Sequence, residues 1–416
     1  MVKTKKYMPL AAAASLLMAS AAFAQSRVTL FGVIDEGFNY LSSAQTARPA
    51  TGPVGHSQYS LQDGATGGLG GSRWGLRGEE DLGAGLTAIF HLEGGFNVNN
   101  GTLAQGGALF GRQAYVGMRS DALGAVTLGR QYDSVVSFVQ LYSSAAQWGG
   151  YIGAHPGDID NLVNTHRINN AIKYSSPDLH GLTFGGLYSL GGVPGSVGRN
   201  QLWSAGFNYS NGSFGIAAAY LNARNPNLSF FGTNPNNGTT VASNNFGSAG
   251  SATAPEVNTI QAGYASASTA QIIAAGTSYQ VGAATLGAVY SNVQYRGLGN
   301  TATSGPNPLG YRGAAVFNTA EANFKYQITP ALLAGAAYVF TKNSGAGGLG
   351  HAIYQQGSTG LDYFLSKRTD TYMILVYQHA SGTDSLGRAA IANIMGQTSS
   401  ASNHQVAFRL GIRHKF

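Results

Sequence analysis

Hydrophobic and polar residues alternate along most of this chain, in segments of about ten residues separated by turn residues. In the first segment Val28, Leu30 and Phe38 share one face, whereas Asp35 and Asn39 share the other. A period of two places successive side chains on opposite faces of a strand. The pattern therefore predicts an all-β chain whose strands each have one apolar and one polar face.

The connections between these segments alternate between short and long. Turns 82–85 and 121–124 are tight, whereas 41–70, 130–167 and 224–268 are long and rich in Gly, Asn and Ser. Membrane β-barrels have this arrangement, with short periplasmic turns and long extracellular loops. Because each unpaired backbone group in a bilayer costs several kcal/mol, such a barrel must close, with its last strand beside its first. The sixteen predicted strands are 27–40, 71–81, 86–97, 112–120, 125–131, 166–175, 182–190, 201–210, 214–223, 269–280, 284–295, 315–327, 332–343, 354–366, 371–380 and 403–416.

Composition favours a membrane protein over a soluble domain. Only 10% of the residues are charged, against roughly 25% in an ordinary soluble domain, and Gly reaches 60. After residue 24 no stretch approaches the roughly 20 apolar residues that a spanning helix needs. The chain has no Cys and therefore no disulfides. We therefore expect backbone pairing and packing to hold the barrel together.

The N-terminus predicts a secretory signal peptide. Three lysines precede an apolar run at 10–21, which ends on Ala-Phe-Ala at 22–24. We therefore predict a signal peptide at 1–24 and a barrel at 25–416. Part of the net charge of +7 belongs to the signal. The positive charge that remains on the rest of the chain is too small to indicate a nucleic-acid partner.

The connection 130–167 is long and includes a predicted short helix, and connections of this kind are usually functional. We interpret it as a loop folded into the lumen, where it narrows the barrel to a pore. Asp133 is placed to cap the helix. Asp158 and Asp160 are either the acidic side of a constriction or turn residues where the loop ends.

Arg73, Arg112 and Arg167 sit where alternation turns them inward, with Tyr115 opposite Arg112 and Ile168 opposite Arg167. Arginine on the lipid face near the midplane would cost about 2–4 kcal/mol, which favours the inward direction. Rim arginines paired with lipid phosphates are the alternative. Rings of basic side chains in a narrowing attract anions.

Other candidate chemistry is sparse. The nine His show no metal-ligand spacing, and G-x-S-x-G and P-loop motifs are absent. We predict neither a metal nor a cofactor. A barrel enzyme would need a projecting Ser-His or Asp-His constellation, and none is evident. A secreted soluble β-sandwich or adhesin is a further alternative, which solubility without detergent would favour.

Several stretches have the order and spacing of a known family: VTLFGVIDEG at 28–37, SRWGLRGEEDL at 72–82, GRQAYVG at 111–117, TLGRQYD at 127–133, the segment 154–160 and the terminal Phe416. The sequence resembles the general diffusion porins of the Gram-negative outer membrane. Arg130 lies in one of these motifs, but alternation groups it with Val126 and Leu128, so its direction stays open.

The resemblance implies a sixteen-stranded, trimeric barrel whose third extracellular loop folds inward to face the wall arginines. The loop tip reads Gln-Trp-Gly-Gly at 147–150 and carries no carboxylate, which predicts a preference for anions. Phe416 resembles the terminal signal that barrel-assembly machinery recognises. The predicted constriction residues are Arg73, Arg112, Arg167, Arg77, Lys173, Asp133, Trp148, Asp158 and Asp160.

We therefore predict an outer-membrane pore, not an enzyme, for passive diffusion of small hydrophilic solutes and ions. A substrate-selective channel for organic acids or sugars is the alternative. The predicted partners are two further copies in a homotrimer, outer-membrane lipid and lipopolysaccharide, the barrel-assembly machinery and the solutes, with no nucleic acid.

Overall fold

The computed structural model describes residues 26–233, 243–301, 304–307 and 309–416. The predicted signal peptide, residues 1–24, lies outside them and stays a prediction. Every helix in these ranges is too short or too polar to span a bilayer. The strands are β1 (Arg27–Ala47), β2 (Val54–Asp63), β3 (Arg73–Gly83), β4 (Leu86–Gly95), β5 (Gln113–Ser120), β6 (Gly124–Gln131), β7 (Ile168–Ser175), β8 (Leu182–Ser189), β9 (Leu202–Asn211), β10 (Phe214–Arg224), β11 (Ser243–Asn244), β12 (Gly247–Ser248), β13 (Thr269–Val281), β14 (Ala284–Leu298), β15 (Gly313–Thr329), β16 (Leu332–Ala346), β17 (Leu349–Phe364), β18 (Thr369–Gly382) and β19 (His404–Lys415). Short helical turns lie at Gly64–Gly67, Gln105–Gly107, Val135–Val139, Gln140–Tyr142, Ala145–Gly149, Tyr151–Gly153, Pro156–Asp158, Pro226–Ser229, Phe231–Thr233 and Ala262–Tyr264.

Sixteen of these strands form one closed antiparallel barrel, which confirms the predicted fold class. The first part of β1 pairs with β3 and its middle part pairs with β19, so the first and last strands meet. Reciprocal backbone hydrogen bonds of 3.0 Å between Gly32 and Phe416 continue this seam. Outside the sixteen, β2 pairs with the later part of β1, and β11 pairs with β12.

The two faces of β1 differ as the alternation predicts. Val28, Leu30 and Phe38 are 64%, 57% and 40% exposed, whereas Asp35 and Asn39 are buried. Apolar side chains on the outer face suit hydrocarbon, and polar side chains on the inner face can hydrogen-bond to one another. The barrel therefore carries its charges mainly inside.

Several strands extend beyond their predicted ends on the side of the long connections. β1 continues to Ala47 rather than to residue 40, and β15 begins at Gly313 rather than at 315. Residues 54–63, predicted to be loop, form β2. Beyond the apolar band both faces of a strand meet polar surroundings, so the alternation that predicts strands is lost.

The long connection between β10 and β13 packs against the inner faces of the strands that follow it. The ring centroids of Phe231 and Phe246 lie 4.1 Å apart, and that of Phe246 lies 5.1 Å from Tyr295 of β14. Tyr264 packs 6.0 Å from Phe317 of β15. All five rings are at most 2% exposed. Side chains therefore fill the interior beside β14 and β15.

A buried polar network joins the strands on both sides of the seam. Arg409 of β19 donates hydrogen bonds to Asp35 of β1 at 3.0 Å, to Tyr372 of β18 at 2.7 Å and to Asn39 at 2.7 Å. The N–H of Gly70 donates to the second oxygen of Asp35 at 3.0 Å. Because both charges are fully buried, loss of either partner would leave the other uncompensated.

We predict that Arg409→Met lowers the free energy of unfolding by about 3–5 kcal/mol, since it leaves a buried carboxylate without its partner. Denaturant unfolding of the detergent-solubilised barrel measures this loss. Arg119→Met is the matched control, because its 3.1 Å pair with Glu79 is exposed and such pairs contribute at most about 1 kcal/mol. Equal losses in the two variants would contradict the prediction.

Candidate functional site

Three of the predicted arginines line one cavity of about 440 Å³. Arg73 begins β3, while Arg112 and Arg167 immediately precede β5 and β7. The glycine-rich stretch 64–71 and the β6–β7 connection, residues 132–167, contribute most of the remaining lining. The structure thus brings together cations that are far apart in sequence.

One carboxylate neutralises part of this charge. Glu93 of β4 forms a close ion pair with Arg112 and lies 3.5 Å from Nε of Arg73. His91 contacts the other oxygen of Glu93 at 3.0 Å, and Arg112 also donates to the Tyr132 hydroxyl at 3.0 Å. Three guanidinium groups and one carboxylate leave a surplus of positive charge beside the cavity.

Arg167 forms no ion pair with any carboxylate in the described part of the chain. It donates to the carbonyl oxygen of Thr165 and to Oδ1 of Asn164, both at 3.0 Å, and its guanidinium lies 5.5 Å from the ring centre of Tyr132. Burial lowers the pKa of Arg167, and the nearby Arg112 lowers it further. Arginine nevertheless stays protonated in proteins, so this charge is not neutralised.

Asp133 caps the first turn of the β6–β7 connection, as predicted. Its Oδ1 accepts hydrogen bonds from the N–H groups of Val135 at 2.7 Å and Val136 at 3.2 Å. Its Oδ2 accepts from the Asn161 amide at 2.7 Å. The turn is π-helical and buries Val135 and Phe138. Asp133 thus joins the two ends of the connection and does not line the cavity.

A buried ionic group, here called the histidine latch (His155, Asp160 and Glu321), ties the connection to distant strands. His155 contacts Asp160 at 2.6 Å through Nδ1 and Glu321 of β15 at 3.1 Å through Nε2. Ser291 of β14 donates to Asp160 at 2.6 Å, and the N–H of Ser144 donates to Glu321 at 2.7 Å. Burial lowers the pKa of His155, but the two carboxylates outweigh it and raise that pKa well above 6.5.

Asp158 is also occupied by hydrogen bonds within the connection. Its Oδ1 accepts from the N–H of Val163 at 3.0 Å, and its Oδ2 accepts from the Thr165 hydroxyl at 2.6 Å. Burial raises the pKa of Asp158 to about 7, and Asp160 adds to this shift. At 2% exposure Asp158 does not line the cavity.

Trp148 anchors the tip of the connection and is only 1% exposed. A Cβ atom built on Gly335 of β16 would lie 2.2 Å from the indole, and one on Gly360 of β17 would lie 2.8 Å from it. The absence of side chains at both positions therefore makes room for the indole. Trp148 contacts these strands rather than the cavity.

The other predicted cations lie apart from the cavity. Arg77 is exposed farther along β3, and Lys173 donates to the carbonyl oxygen of Tyr132 at 3.0 Å. Arg130, which lies in a family motif but which alternation groups with Val126 and Leu128, donates to the carbonyl oxygen of Gly111 at 2.8 Å. Lys173 therefore supports the start of the β6–β7 connection.

Two local predictions of side-chain direction are wrong. Tyr115 stacks on His91, on the inner face that also carries Arg73, because Arg112 precedes β5 and alternation does not extend to it. Ile168 is buried in the interior cluster, because the register between β6 and β7 shifts beside it. The alternation of apolar and polar residues does not predict such irregular strand pairing.

Three charged or ionisable residues of this region, Glu93, His155 and Glu321, were not predicted from the sequence. Glu93 shares the polar face of β4 with His91, so a charge count of inner faces could have found it. The pairing of His155 with Glu321, 166 residues later, has no local signal in the sequence. In the described part of the chain, no group of His, Asp and Glu has the arrangement of a metal site.

A family model described as Gram-negative porin matches residues 10–383, which is most of the chain. The chain belongs to the Gram-negative porin family. An outer membrane porin protein of Bordetella pertussis is 37% identical over 235 residues, which cover 52% of this porin and 60% of that protein. Outer membrane porin protein 32 of Delftia acidovorans is 36% identical over 202 residues, which cover 46% of this porin and 53% of that protein. The chain thus spans little more than half the length of the curated relatives it matches.

Solved structures resemble 94% of this porin. An anion-selective porin from Comamonas acidovorans gives a TM-score of 0.66 at 20% identity, with 100% of that chain covered. OmpT of Vibrio cholerae in its trimer form gives 0.59 at 13% identity, with 99% covered. These likenesses support the barrel fold. Family membership confirms the predicted outer-membrane location, and its members are channels rather than enzymes.

We predict that His155→Gln loosens the β6–β7 connection, because Asp160 and Glu321 lose a charged partner. Hydrogen bonds to charged groups contribute about 1.5–3 kcal/mol, so amides of the connection should exchange on the order of tenfold faster or more. Hydrogen exchange measures this directly. His404→Gln changes an exposed histidine and serves as the control.

The difference in exchange protection between the wild type and His155→Gln should change with pH in a defined direction. Because the pKa of His155 is raised, its stabilising contribution is complete below pH 6.5 and is lost as the pH rises through the folded value. The gap in protection between wild type and His155→Gln should therefore narrow in alkaline solution. A gap that widens with pH would rule out a charged histidine latch.

Proposed function

We propose that this porin is an outer-membrane pore through which small hydrophilic solutes and ions diffuse passively, with a preference for anions. The charge balance at the cavity of about 440 Å³ carries the proposal, because three arginines there face one carboxylate. The aspartates of the β6–β7 connection are buried in hydrogen bonds and do not offset the arginines. The relative described as an anion-selective porin is consistent with this proposal.

We also infer that the β6–β7 connection lies inside the barrel and narrows it. It leaves β6 and returns to β7, yet it contacts Ser291 of β14, Glu321 of β15, Gly335 of β16 and Gln356 of β17. A segment that reaches these inner faces from β6 must extend across the interior. The cavity beside the arginines is then the remaining passage for solutes.

The surplus charge is large enough to select between ions. A unit charge about 7 Å from an ion in water contributes about 0.6 kcal/mol, so two contribute about 1.2 kcal/mol. That energy corresponds to about a sevenfold enrichment of a monovalent anion. Salt screens the interaction, so selectivity should weaken as ionic strength rises.

Reversal potentials in planar bilayers under a salt gradient test this proposal. We expect anion selectivity in the wild type, and a severalfold lower anion-to-cation permeability ratio in Arg167→Gln, which removes a charge without leaving a carboxylate unpaired. Arg368→Gln, in an exposed turn between β17 and β18, is the matched control and should leave the ratio unchanged. A cation-selective wild type would refute the proposal.

A substrate-selective channel for organic acids or sugars is the second candidate function. The aromatic cluster beside β14 and β15 fills part of the interior, which favours a confined route over a wide opening. The same recordings separate the two functions, because conductance that saturates with one solute indicates a binding site. Conductance linear in salt indicates passive diffusion.

We further propose that the porin assembles as a homotrimer within outer-membrane lipid and lipopolysaccharide. The trimer form of Vibrio cholerae OmpT supports the assembly, and conductance steps in groups of three would show it. Barrel-assembly machinery is the proposed insertion partner, with Phe416 as its signal. This residue pairs with Gly32 through backbone hydrogen bonds, and its ring covers that glycine.

Deletion of Phe416 should sharply reduce the amount of folded barrel in the outer membrane, because it removes both the proposed signal and one end of the β1–β19 seam. Heat-modifiable gel migration of outer-membrane fractions measures this amount. Phe416→Tyr keeps an aromatic terminus and should insert like the wild type. Normal insertion of the deletion variant would disprove the assigned role.

A further inference from the structure

The long connection between β10 and β13 reaches the end of the β6–β7 connection, next to Arg167. The ring centroids of Phe230 and Phe231 lie 5.1 Å and 4.6 Å from that of His166, and Phe231 meets the imidazole edge-on. Both phenylalanines are at most 2% exposed. These two residues, here called the phenylalanine clamp, bring one connection against the residue that precedes a cavity arginine in the other.

The clamp is itself fixed to the barrel wall on two sides. The ring of Phe231 lies 4.1 Å from that of Phe246, which lies 5.1 Å from Tyr295 of β14. On the other side, the carbonyl oxygen of Thr233 accepts a hydrogen bond of 3.2 Å from Arg130 of β6. Aromatic pairs attract each other in addition to the gain from burying their surface. The clamp therefore gives His166 a support that does not belong to its own connection.

Arg167 moves with the segment to which His166 belongs. Its guanidinium donates to the carbonyl oxygen of Thr165 and to Oδ1 of Asn164, both at 3.0 Å, and lies 5.5 Å from the ring centre of Tyr132. All three of these partners belong to the β6–β7 connection. The direction of Arg167 therefore depends on where this end of the connection is held.

Arg167 also occupies a position that costs free energy. It is 4% exposed, and within the described chain its Nε atom has no hydrogen-bond partner. Burial of a cation without an opposite charge is unfavourable, and Arg112 repels it. Such a side chain moves toward water unless the backbone that carries it is fixed. Because residues 161–166 separate Arg167 from Asp160 of the histidine latch, a second anchor close to Arg167 is needed.

His166 contributes a contact to this region rather than a charge. Burial, together with the positive charges of Arg167 and Arg130, lowers the pKa of His166 to about 3. The imidazole is therefore neutral in neutral solution, and the clamp packs against an uncharged ring. Changes at His166 or in the clamp can thus move the neighbouring cation without altering the number of charges beside the cavity.

We propose that Phe230 and Phe231 are positioning residues for ion selectivity, because they hold the end of the β6–β7 connection so that Arg167 stays at the cavity. The inference rests on the proposed function, since it assigns how that pore keeps its third arginine in place. The clamp acts through His166 and the backbone that follows it. Loss of a clamp ring lets this segment shift, and Arg167 then moves away from the cavity while the charge of the protein is unchanged.

Reversal potentials of Phe231→Ala in planar bilayers test the proposal. We expect the anion-to-cation permeability ratio to fall about twofold or more below the wild type, but no further than in Arg167→Gln, because one charge is displaced and none is removed. Phe317→Ala is the matched control, since it removes a ring from the same aromatic cluster on the side of β15, and it should leave the ratio unchanged. An equal fall in both variants, or no fall in Phe231→Ala, would overturn the proposal.

Two further variants keep the test independent of how well Phe231→Ala folds. His166→Ala removes the ring that the clamp contacts and should lower the ratio by a similar factor. In the Arg167→Gln background, Phe231→Ala should lower the ratio no further, because the charge that it would displace is already absent. An additional fall in that background would show that the clamp acts on something other than Arg167, which would also overturn the proposal.

Hydrogen exchange separates failure of this inference from failure of the pore proposal. The N–H of His166 donates to Oδ1 of Asn161 at 2.8 Å, so its protection reports how firmly this segment is held. We expect this amide to exchange severalfold faster in Phe231→Ala and as in the wild type in Phe317→Ala. A wild type without anion selectivity would refute the pore proposal, whereas unchanged exchange and an unchanged ratio in Phe231→Ala would refute the role of the clamp alone.

Discussion

Backbone hydrogen bonding in hydrocarbon is the constraint on which the rest of this structure depends. A strand in the bilayer has no water to satisfy its N–H and C=O groups, so every ladder must find a neighbour and the sheet must close. Closure brings β1 beside β19 and places Asp35 and Arg409, 374 residues apart in sequence, within 3.0 Å. The same hydrocarbon excludes charges from the outer face, so most of the chain's ionic chemistry takes place inside.

Confinement of charge to the interior explains how an arginine cluster can exist here. Arg73 and Arg112 are held near each other by Glu93, which lies between them on β4. Arg167 comes to the same cavity from the end of the β6–β7 connection, held by Thr165 and the ring of Tyr132. Its position thus depends on the connection being held in place.

The strands were predictable from sequence because hydrocarbon and water impose opposite requirements on the two faces of a strand, as the exposed Val28 and the buried Asp35 illustrate. The alternation of apolar and polar residues ends where the bilayer ends, so β2 could not be predicted from it. It also fails at irregular pairing, as at Ile168. The three arginines that line the cavity were singled out from the sequence, but the role of His155 was not. Its partner Glu321 lies 166 residues away, and only the closed barrel brings the two together.

The anchoring of the β6–β7 connection also determines the sign of the charge beside the cavity. An aspartate exposed there would offset one arginine, but Asp133 caps a turn, Asp158 accepts hydrogen bonds from Val163 and Thr165, and Asp160 binds His155. Each carboxylate is stabilised where it is buried, so none of the three is exposed at the cavity. The connection can therefore carry three aspartates and still leave a net positive charge beside the cavity. The net charge beside the cavity therefore follows from which charged groups hold the connection in place and which do not.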